Sequence, residues 1–384
     1  MVSRTDNSIL AEWWRTVDKP LLSALLFLAL SGLLMSFAAS PAVAERISVA
    51  DFHFIIRHAI FFVPCVAVMI GISFLSPRDV RRLALVLFAV SVVLLLLTLF
   101  IGSEAKGSRR WIYLSGFTLQ PSEFIKPAFV VITAWLFAEN SRRPDIPGNL
   151  FSIILFGIVA ALLIAQPDFG QTMLVAAVWG ALFFMAGMSW IWIAALGALG
   201  ISGIITAYVM FPHVAGRINR FVSGEGDNFQ VDTSIEAFQN GGWLGQGPGE
   251  GTVKNILPDA HTDFVFAVAA EEFGIIACML LVGVYAFVVL RALLKAMNER
   301  NDYVRMAAAG LALQFGFQSM INIGVNLKLL PAKGMTLPFI SYGGSSLMAL
   351  AIGMGFLLAL TRTRAESHKS AAVGFGIHSI KPAE

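Results

Sequence analysis

The sequence predicts an all-α polytopic membrane protein with about ten transmembrane helices and one large extracytoplasmic loop between the seventh and eighth. Three observations predict it. The 384 residues are 57% hydrophobic and only 13% charged, where a soluble domain carries about 25% charge. Ten apolar runs have lengths suited to a bilayer. Basic residues gather on the loops of one side.

The runs, in order, are residues 20–43, 54–75, 83–101, 124–138, 150–165, 172–188, 190–211, 264–294, 304–330 and 345–360. Backbone polar groups cannot go unpaired in lipid, so each run reads as a helix. Nothing alternates at period two, which excludes a barrel. The first run ends in Pro41-Ala42-Val43-Ala44, a signal-peptidase-like site. Its polar lead and apolar stretch are both long for a signal peptide, so a retained helix is expected. Cys65 and Cys278 lie in apolar runs and read as packing side chains rather than a disulfide. A net charge of +3 does not point to nucleic acid.

With the N-terminus inside, Arg4, Arg15, Lys19, Arg78, Arg81, Arg82, Arg142, Arg143, Arg291, Lys295, Arg300, Arg305, Arg362 and Arg364 fall on the cytoplasmic side. Both termini are then cytoplasmic. Residues 1–19 form an N-terminal segment, 20–362 a ten-helix membrane domain, and 363–384 a polar, disordered tail. Two outer segments stand out, residues 102–121 and 212–263. A long loop in a compact bundle is usually functional or disordered. The second mixes Phe221, Phe229, Phe238 and Trp243 with a glycine-rich stretch, which suits a folded loop.

Four constellations could carry chemistry. Arg109-Arg110-Trp111 precedes Gln120-Pro121-Ser122-Glu123, with Lys126 one helical turn after Glu123. Pro121 and Ser122 are expected to start the helix, with Ser122 as its cap. The group reads either as an exposed ion pair with interfacial anchors or as a basic, aromatic lip for an anionic headgroup. Gln166-Pro167-Asp168 is a short outer turn in which Asp168 is at least a helix cap. Asp259, His261 and Asp263 place three titratable groups within five residues where the long loop meets the eighth run. That run is long enough, about 46 Å, for its first turns to rise above a core of about 30 Å. Asp263, Glu271 and Glu272 would then lie in or near water. Lastly, Ile321-Asn322-Ile323-Gly324-Val325-Asn326 is followed by a segment with Lys333 and by the run Ser341-Tyr342-Gly343-Gly344-Ser345-Ser346. The glycines and serines before the last helix read as an anion-binding helix start or as a tight turn with a serine cap.

Together these motifs resemble the SEDS family, the bacterial shape, elongation, division and sporulation proteins. Arg-Arg-Trp, Gln-Pro-Ser-Glu-x-x-Lys, Gln-Pro-Asp, His-Thr-Asp-Phe and Ile-Ser-Tyr-Gly-Gly-Ser-Ser stand in the family's order over about residues 15–365. Residues 331–338 are more like the division branch than the elongation branch. The resemblance implies a peptidoglycan glycosyltransferase that polymerises lipid II outside the cytoplasmic membrane, at the division septum. It maps the family's essential loop aspartate onto Asp263. It implies a class B penicillin-binding protein and other division proteins as partners, and no organic cofactor. Asp259, Gln171 and Lys328 depart from the residues most usual in the family.

On this reading Asp263 is the general base that takes a proton from the acceptor sugar's 4-hydroxyl. Arg109, Arg110, Trp111, Gln120, Glu123, Lys126, Asp168, Arg217, His261, Lys333, Ser341, Tyr342 and Ser345 are the expected substrate contacts. A divalent cation, Mg or Mn, could assist at the diphosphate, although no all-protein cage is visible. Two other classes compete. A lipid II transporter would use the same cations as a gate, and a scaffold would need no acid. The cytoplasmic loops show mostly ordinary flanking Lys and Arg, which favours the enzyme. Gly310, with Ala307, Ala308 and Ala309, offers small residues for a partner helix or for internal packing.

Overall fold

The computed structural model describes residues 8–46, 50, 52–105, 108–114, 117–143, 145–188, 190–211, 214–216, 219, 229–331 and 334–363. A short helix, α1 (Ile9–Thr16), lies within the N-terminal segment and is capped by Ser8. Asp18 then accepts from the N–H of Leu21 and starts α2 (Lys19–Arg46). There follow α3 (His53–Ser73), α4 (Pro77–Ile101), α5 (Pro121–Arg142), α6 (Gly148–Ala165), α7 (Phe169–Met185) and α8 (Trp190–Met210). The long loop contains α9 (Phe229–Gly241) and a 3₁₀ turn, Val253–Asn255. The chain closes with α10 (Val265–Met297), α11 (Asp302–Asn326) and α12 (Gly344–Leu360).

Seven of these helices, namely α2 to α6, α8 and α10, are long and apolar enough to cross a membrane. The shorter apolar α7 and α12 and the 25-residue α11 complete the ten predicted crossings. The tenfold helical membrane architecture read from the sequence is therefore the observed one. Its centre is α5, packed by α4, α6, α7, α11 and α12. By contrast α8 buries none of its apolar window against the rest of the chain. Cys65 and Cys278 are both buried and free.

Four expectations need correction. Residues 102–121 contain a small antiparallel sheet, with β1 (Ser103–Ala105) and β3 (Phe117–Leu119) flanking β2 (Ser108–Leu114). Helix α5 starts at Pro121 with Gln120 in the cap position, and Ser122 is already inside it. A proline at the first helical position has no N–H to leave unpaired, so Ser122 is not needed as a cap. Ala307, Ala308, Ala309 and Gly310 are buried within the bundle. A β-carbon on Gly310 would lie 2.7 Å from Val130 Cγ1, so these small residues serve internal packing, not a partner.

The fourth correction concerns the eighth run. Helix α10 is broken at Gly274, whose φ of 78° and ψ of 176° are non-helical. Only residues 275–297 continue as a straight span, about 35 Å long at ~1.5 Å per residue. The break removes two intrahelical hydrogen bonds, and the glycine-rich loop replaces them. Ile275 N–H donates to Gly242 O at 3.0 Å and Ile276 N–H to Trp243 O at 3.3 Å. In return Gln246 N–H donates to Glu271 O at 2.9 Å and Gly247 N–H to Glu272 O at 3.0 Å. The stub before the break is therefore folded into the loop rather than projecting into water.

Glu271 and Glu272 are accordingly buried, not in or near water as the run length suggested. The Glu271 carboxylate accepts from the backbone N–H groups of Thr252, Val253 and Lys254 at 2.7, 2.7 and 2.9 Å, and from Asn240 Nδ2 at 2.9 Å. Glu272 pairs with the Lys254 ammonium. A buried carboxylate is tolerated only with such partners.

Replacing Gly274 by alanine would put a β-carbon 2.4 Å from Trp243 O at a positive φ. Gly274→Ala should cost about 1–3 kcal/mol, read as a lower unfolding midpoint of the detergent-solubilised protein. Gly283→Ala in the same helix meets nothing within 4 Å and should leave the midpoint unchanged or raise it.

Candidate functional site

The predicted residues divide into two clusters at the loop end of the bundle, joined by α11. The first surrounds Asp263, which stands just before α10 and is partly exposed. Its backbone carbonyl accepts from Asn322 Nδ2 at 2.8 Å and Asn326 Nδ2 at 3.0 Å. Asn322 Nδ2 also donates to Met335 O at 2.6 Å, which brings the segment before α12 beside the same residue. A β-carbon on Gly334 would lie 3.4 Å from Asp263 Oδ2, so a bare backbone faces the carboxylate.

The rest of this segment clasps the residues before Asp263. Ser341 Oγ donates to Thr262 O at 2.5 Å and accepts from Leu337 N–H at 2.7 Å. Tyr342 N–H donates to His261 O at 2.9 Å. The Tyr342 ring lies 5.6 Å from His261 and 5.3 Å from Phe54. Burial pushes the Tyr342 phenol above its usual value, and a hydrogen bond and the charge of Arg57 oppose that shift. Asp259 turns the chain with a φ of 54°, a left-handed conformation that aspartate tolerates better than most residues. Its departure from the commoner family residue thus sits at a backbone turn.

The second cluster is buried between α5, α7 and α11. Lys126 Nζ donates to Glu123 Oε2 at 2.9 Å and to Gln318 Oε1 at 3.1 Å. Glu123 Oε1 accepts from Gln171 Nε2 at 2.6 Å. Lys126 is 2% exposed and Glu123 4%, so they form neither an exposed pair nor a lip for a headgroup. The three-residue spacing pairs them, and the central position of α5 buries them. Gln171 is therefore a structural partner of Glu123, and Lys328, the third departure, pairs with Asp232 at 2.6 Å. Gln318 links the clusters, since its Nε2 donates to Thr336 O at 3.1 Å. Thr336 Oγ1 in turn lies 2.7 Å from Ser346 Oγ.

Asp168 caps α7 and is also buried. Arg110 reaches it from β2 at 3.5 Å and donates to Pro167 O at 2.6 Å. Arg110 thus fixes the sheet to the Gln-Pro-Asp turn. Strand alternation turns Arg109 and Tyr113 to the exposed face while Ile112 is buried and Arg110 half-buried. Trp111 is half-buried. Ser345 Oγ donates to Thr118 O at 2.7 Å and accepts from Gln120 N–H at 3.1 Å, so it ties the sheet to α12. Arg217 and Lys333 lie outside the described residues.

Asn322 and Asn326 belong to the fourth motif read from the sequence, but Gln314 and Gln318 were not singled out, and neither was the spacing that joins all four. Gln314, Gln318, Asn322 and Asn326 recur every four residues on α11, a spacing that marks one helix face. Exposed Arg57 and buried His58 lie near the loop end of α3. A charge and an imidazole inside an apolar run were the available signal. Among the described residues, no three His, Cys, Asp or Glu side chains group as a metal site. The donors among the described residues fit no protein-built cage.

Two outcomes follow for stability. Lys126→Met strands the Glu123 carboxylate in the core and should cost about 3–5 kcal/mol. The double variant Glu123→Gln/Lys126→Met should recover much of that loss in thermal unfolding. Burial raises the Asp168 pKa above its usual 3.8, Arg110 and the Gln171 N–H pull it down, and Glu123 pushes it up. With the folded value raised, ionising Asp168 works against the fold as pH rises through that range. Asp168→Asn keeps a capping side chain. Its unfolding midpoint relative to wild type should rise as the pH is raised above about 4.

The family described as cell cycle protein, FtsW/RodA/SpoVE, matches residues 19–366. The chain is 46% identical over 377 residues to a probable peptidoglycan glycosyltransferase FtsW of Caulobacter vibrioides, covering 97% of both chains. It is 35% identical over 362 residues to the protein of that name in Trichlorobacter lovleyi, covering 91% of this chain and 95% of the other. Its fold is similar to a chain in a solved peptidoglycan synthase complex, described as coordinating polymerization and crosslinking. That match has a TM-score of 0.74 and 26% identity, over 90% of this chain and 97% of the other. It is also similar to the crystal structure of the rod shape determining protein RodA of Thermus thermophilus. There the TM-score is 0.66 at 26% identity, over 91% of this chain and 97% of the other. With the motifs, the ten-helix fold and the family match all in agreement, the chain belongs to the FtsW/RodA/SpoVE family, the SEDS proteins.

Proposed function

We propose that this chain is a peptidoglycan glycosyltransferase that polymerises lipid II during septal wall synthesis at cell division. The observation that carries the reading is Asp263. It is a partly exposed carboxylate whose backbone is clamped by Asn322 and Asn326 and which faces bare glycine backbone. A carboxylate that is partly exposed and whose backbone is held by two side-chain amides suits a general base, which must keep a fixed position within reach of the proton it takes. The relatives of Caulobacter vibrioides and Trichlorobacter lovleyi, both described as probable peptidoglycan glycosyltransferases, support the activity.

Asp263 takes the proton from the acceptor sugar's 4-hydroxyl as that oxygen bonds to the donor's anomeric carbon. The bond from that carbon to the lipid diphosphate breaks with inversion, and the diphosphate leaves with the electron pair. Charge on the leaving group is stabilised by cations on the same side. Arg110 and Lys126 are already committed to Asp168 and Glu123. The exposed guanidinium groups of Arg57, beside Tyr342, and of Arg109 are the cations proposed for that charge, with Arg217 and Lys333 as further candidates. A divalent cation carried by the diphosphate would add to this charge without a protein cage.

The site faces the outside of the cytoplasmic membrane in this reading, with both termini in the cytoplasm. A class B penicillin-binding protein that cross-links the product is the proposed partner, and the solved synthase complex supports it. A run more like the division branch at residues 331–338, together with the FtsW relatives, favours a septal role over elongation.

The test is polymerisation of purified lipid II by the protein with its partner. Asp263→Asn should lower the rate by about 10²–10⁴-fold while the unfolding midpoint stays at the wild-type value. Full activity in that variant would overturn the assignment. Lipid II translocation in protein-containing vesicles, unaffected by loss of polymerisation, would instead favour a transporter.

A further inference from the structure

The short helix α1 is not used by the site, and its two faces differ sharply. One face is fixed to the bundle. Trp13 is 8% exposed, its indole donates to Ser73 Oγ at 2.8 Å, and its ring stacks on Phe74 at 4.9 Å. Thr16 accepts from Arg362 Nε at 3.0 Å through its hydroxyl and from Thr363 N–H at 2.9 Å through its carbonyl. The other face is apolar and bare. Ile9 is 76%, Leu10 68% and Trp14 44% exposed. Leu10 and Trp14 are four residues apart and therefore share that face.

Extended Val17 and the cap at Asp18 separate α1 from α2, so α1 does not continue the spanning helix. Its neighbours are the start of α2, the end of α3 and the end of α12. Those termini all lie at the end of the bundle opposite the long loop. A helix tethered there, two residues from a spanning segment, meets the headgroup region of one leaflet. The local charge suits an anionic surface. Arg15 and Lys19 are exposed, and Lys19 Nζ lies 5.0 Å from the Trp14 ring. The Asp18 carboxylate is neutralised by Arg291 at 2.7 Å and Lys295 at 3.4 Å. Glu12 is the exposed acid of the helix.

We infer that α1 is an interfacial anchor for anionic phospholipid. It lies in the leaflet from which α2 enters, with Ile9, Leu10 and Trp14 at the acyl boundary. Arg15 and Lys19 meet the lipid phosphates. An apolar face of this kind binds an interface through buried area plus attraction to anionic lipid, and each basic residue adds to that attraction. Trp13 ties α1 to the end of α3, and Thr16 ties it to the end of α12. This assignment is independent of the glycosyltransferase reading.

The full-length protein in lipid nanodiscs tests it. A nitroxide is placed at Leu10→Cys or Glu12→Cys, since the native thiols Cys65 and Cys278 are buried. The label at 10 should be relaxed more by dioxygen than by an aqueous nickel chelate, and the label at 12 the reverse. Adding phosphatidylglycerol to phosphatidylcholine discs should shift the label at 10 deeper. Arg15→Gln/Lys19→Gln should abolish that shift. Chelate access at position 10 equal to that at 12 would overturn the proposal. So would an undiminished shift in the double variant, or dipolar broadening that reports a second copy on this face.

Discussion

Everything at the loop end depends on satisfying side-chain carboxamides of α11 inside a medium that offers them no water. Gln318 joins Lys126 to Thr336, and one turn further on Asn322 joins Asp263 to Met335. Asn326 then completes the clamp and accepts from Ala267 N–H at 3.2 Å. In a low dielectric an unpaired amide is costly, so each of these groups specifies where its partners must be. The buried ion pair of α5 and the partly exposed acid of the loop are thereby held in one frame, a helical turn apart. Precision at Asp263 comes from the bilayer-embedded part of the molecule, although the acid itself lies in a loop.

The same logic explains why the ion pair is buried at all. Glu123 and Lys126 sit on a helix that is packed on most sides. Their charges are balanced by each other, by Gln171 and by Gln318. Such a pair contributes little net stability compared with apolar packing, but breaking it is expensive. Its effect is to fix the register of α5 against α7 and α11, the helices that carry Asp168 and the asparagine clamp.

Much of this was legible in the sequence. Ten apolar runs mark ten helices because lipid permits little else. Asp263 stood out as a carboxylate where a long loop meets a helix. What was not legible was environment. A Glu and a Lys three apart look the same on an exposed face as in a core, and only the packing around α5 distinguishes them. Small residues at 307–310 look alike whether they face a partner or Val130 and Leu182. Gly274 gave no sign of a break, because glycine is common in spanning helices. The conformation there is imposed by a loop some thirty residues earlier in the chain. Asn322 and Asn326 were read as a motif, but their continuation through Gln318 and Gln314 was missed, although its period of four was present in the letters.

The exchange of hydrogen bonds at Gly274 has a consequence for how the site is inherited. Four backbone groups freed by the break pair with Gly242, Trp243, Gln246 and Gly247, which precede the helix in the chain. The stub leading back to Asp263 is thus stitched to a loop made before it. The position of the acid and the fold of the glycine-rich loop are therefore one unit, and neither can be inherited without the other.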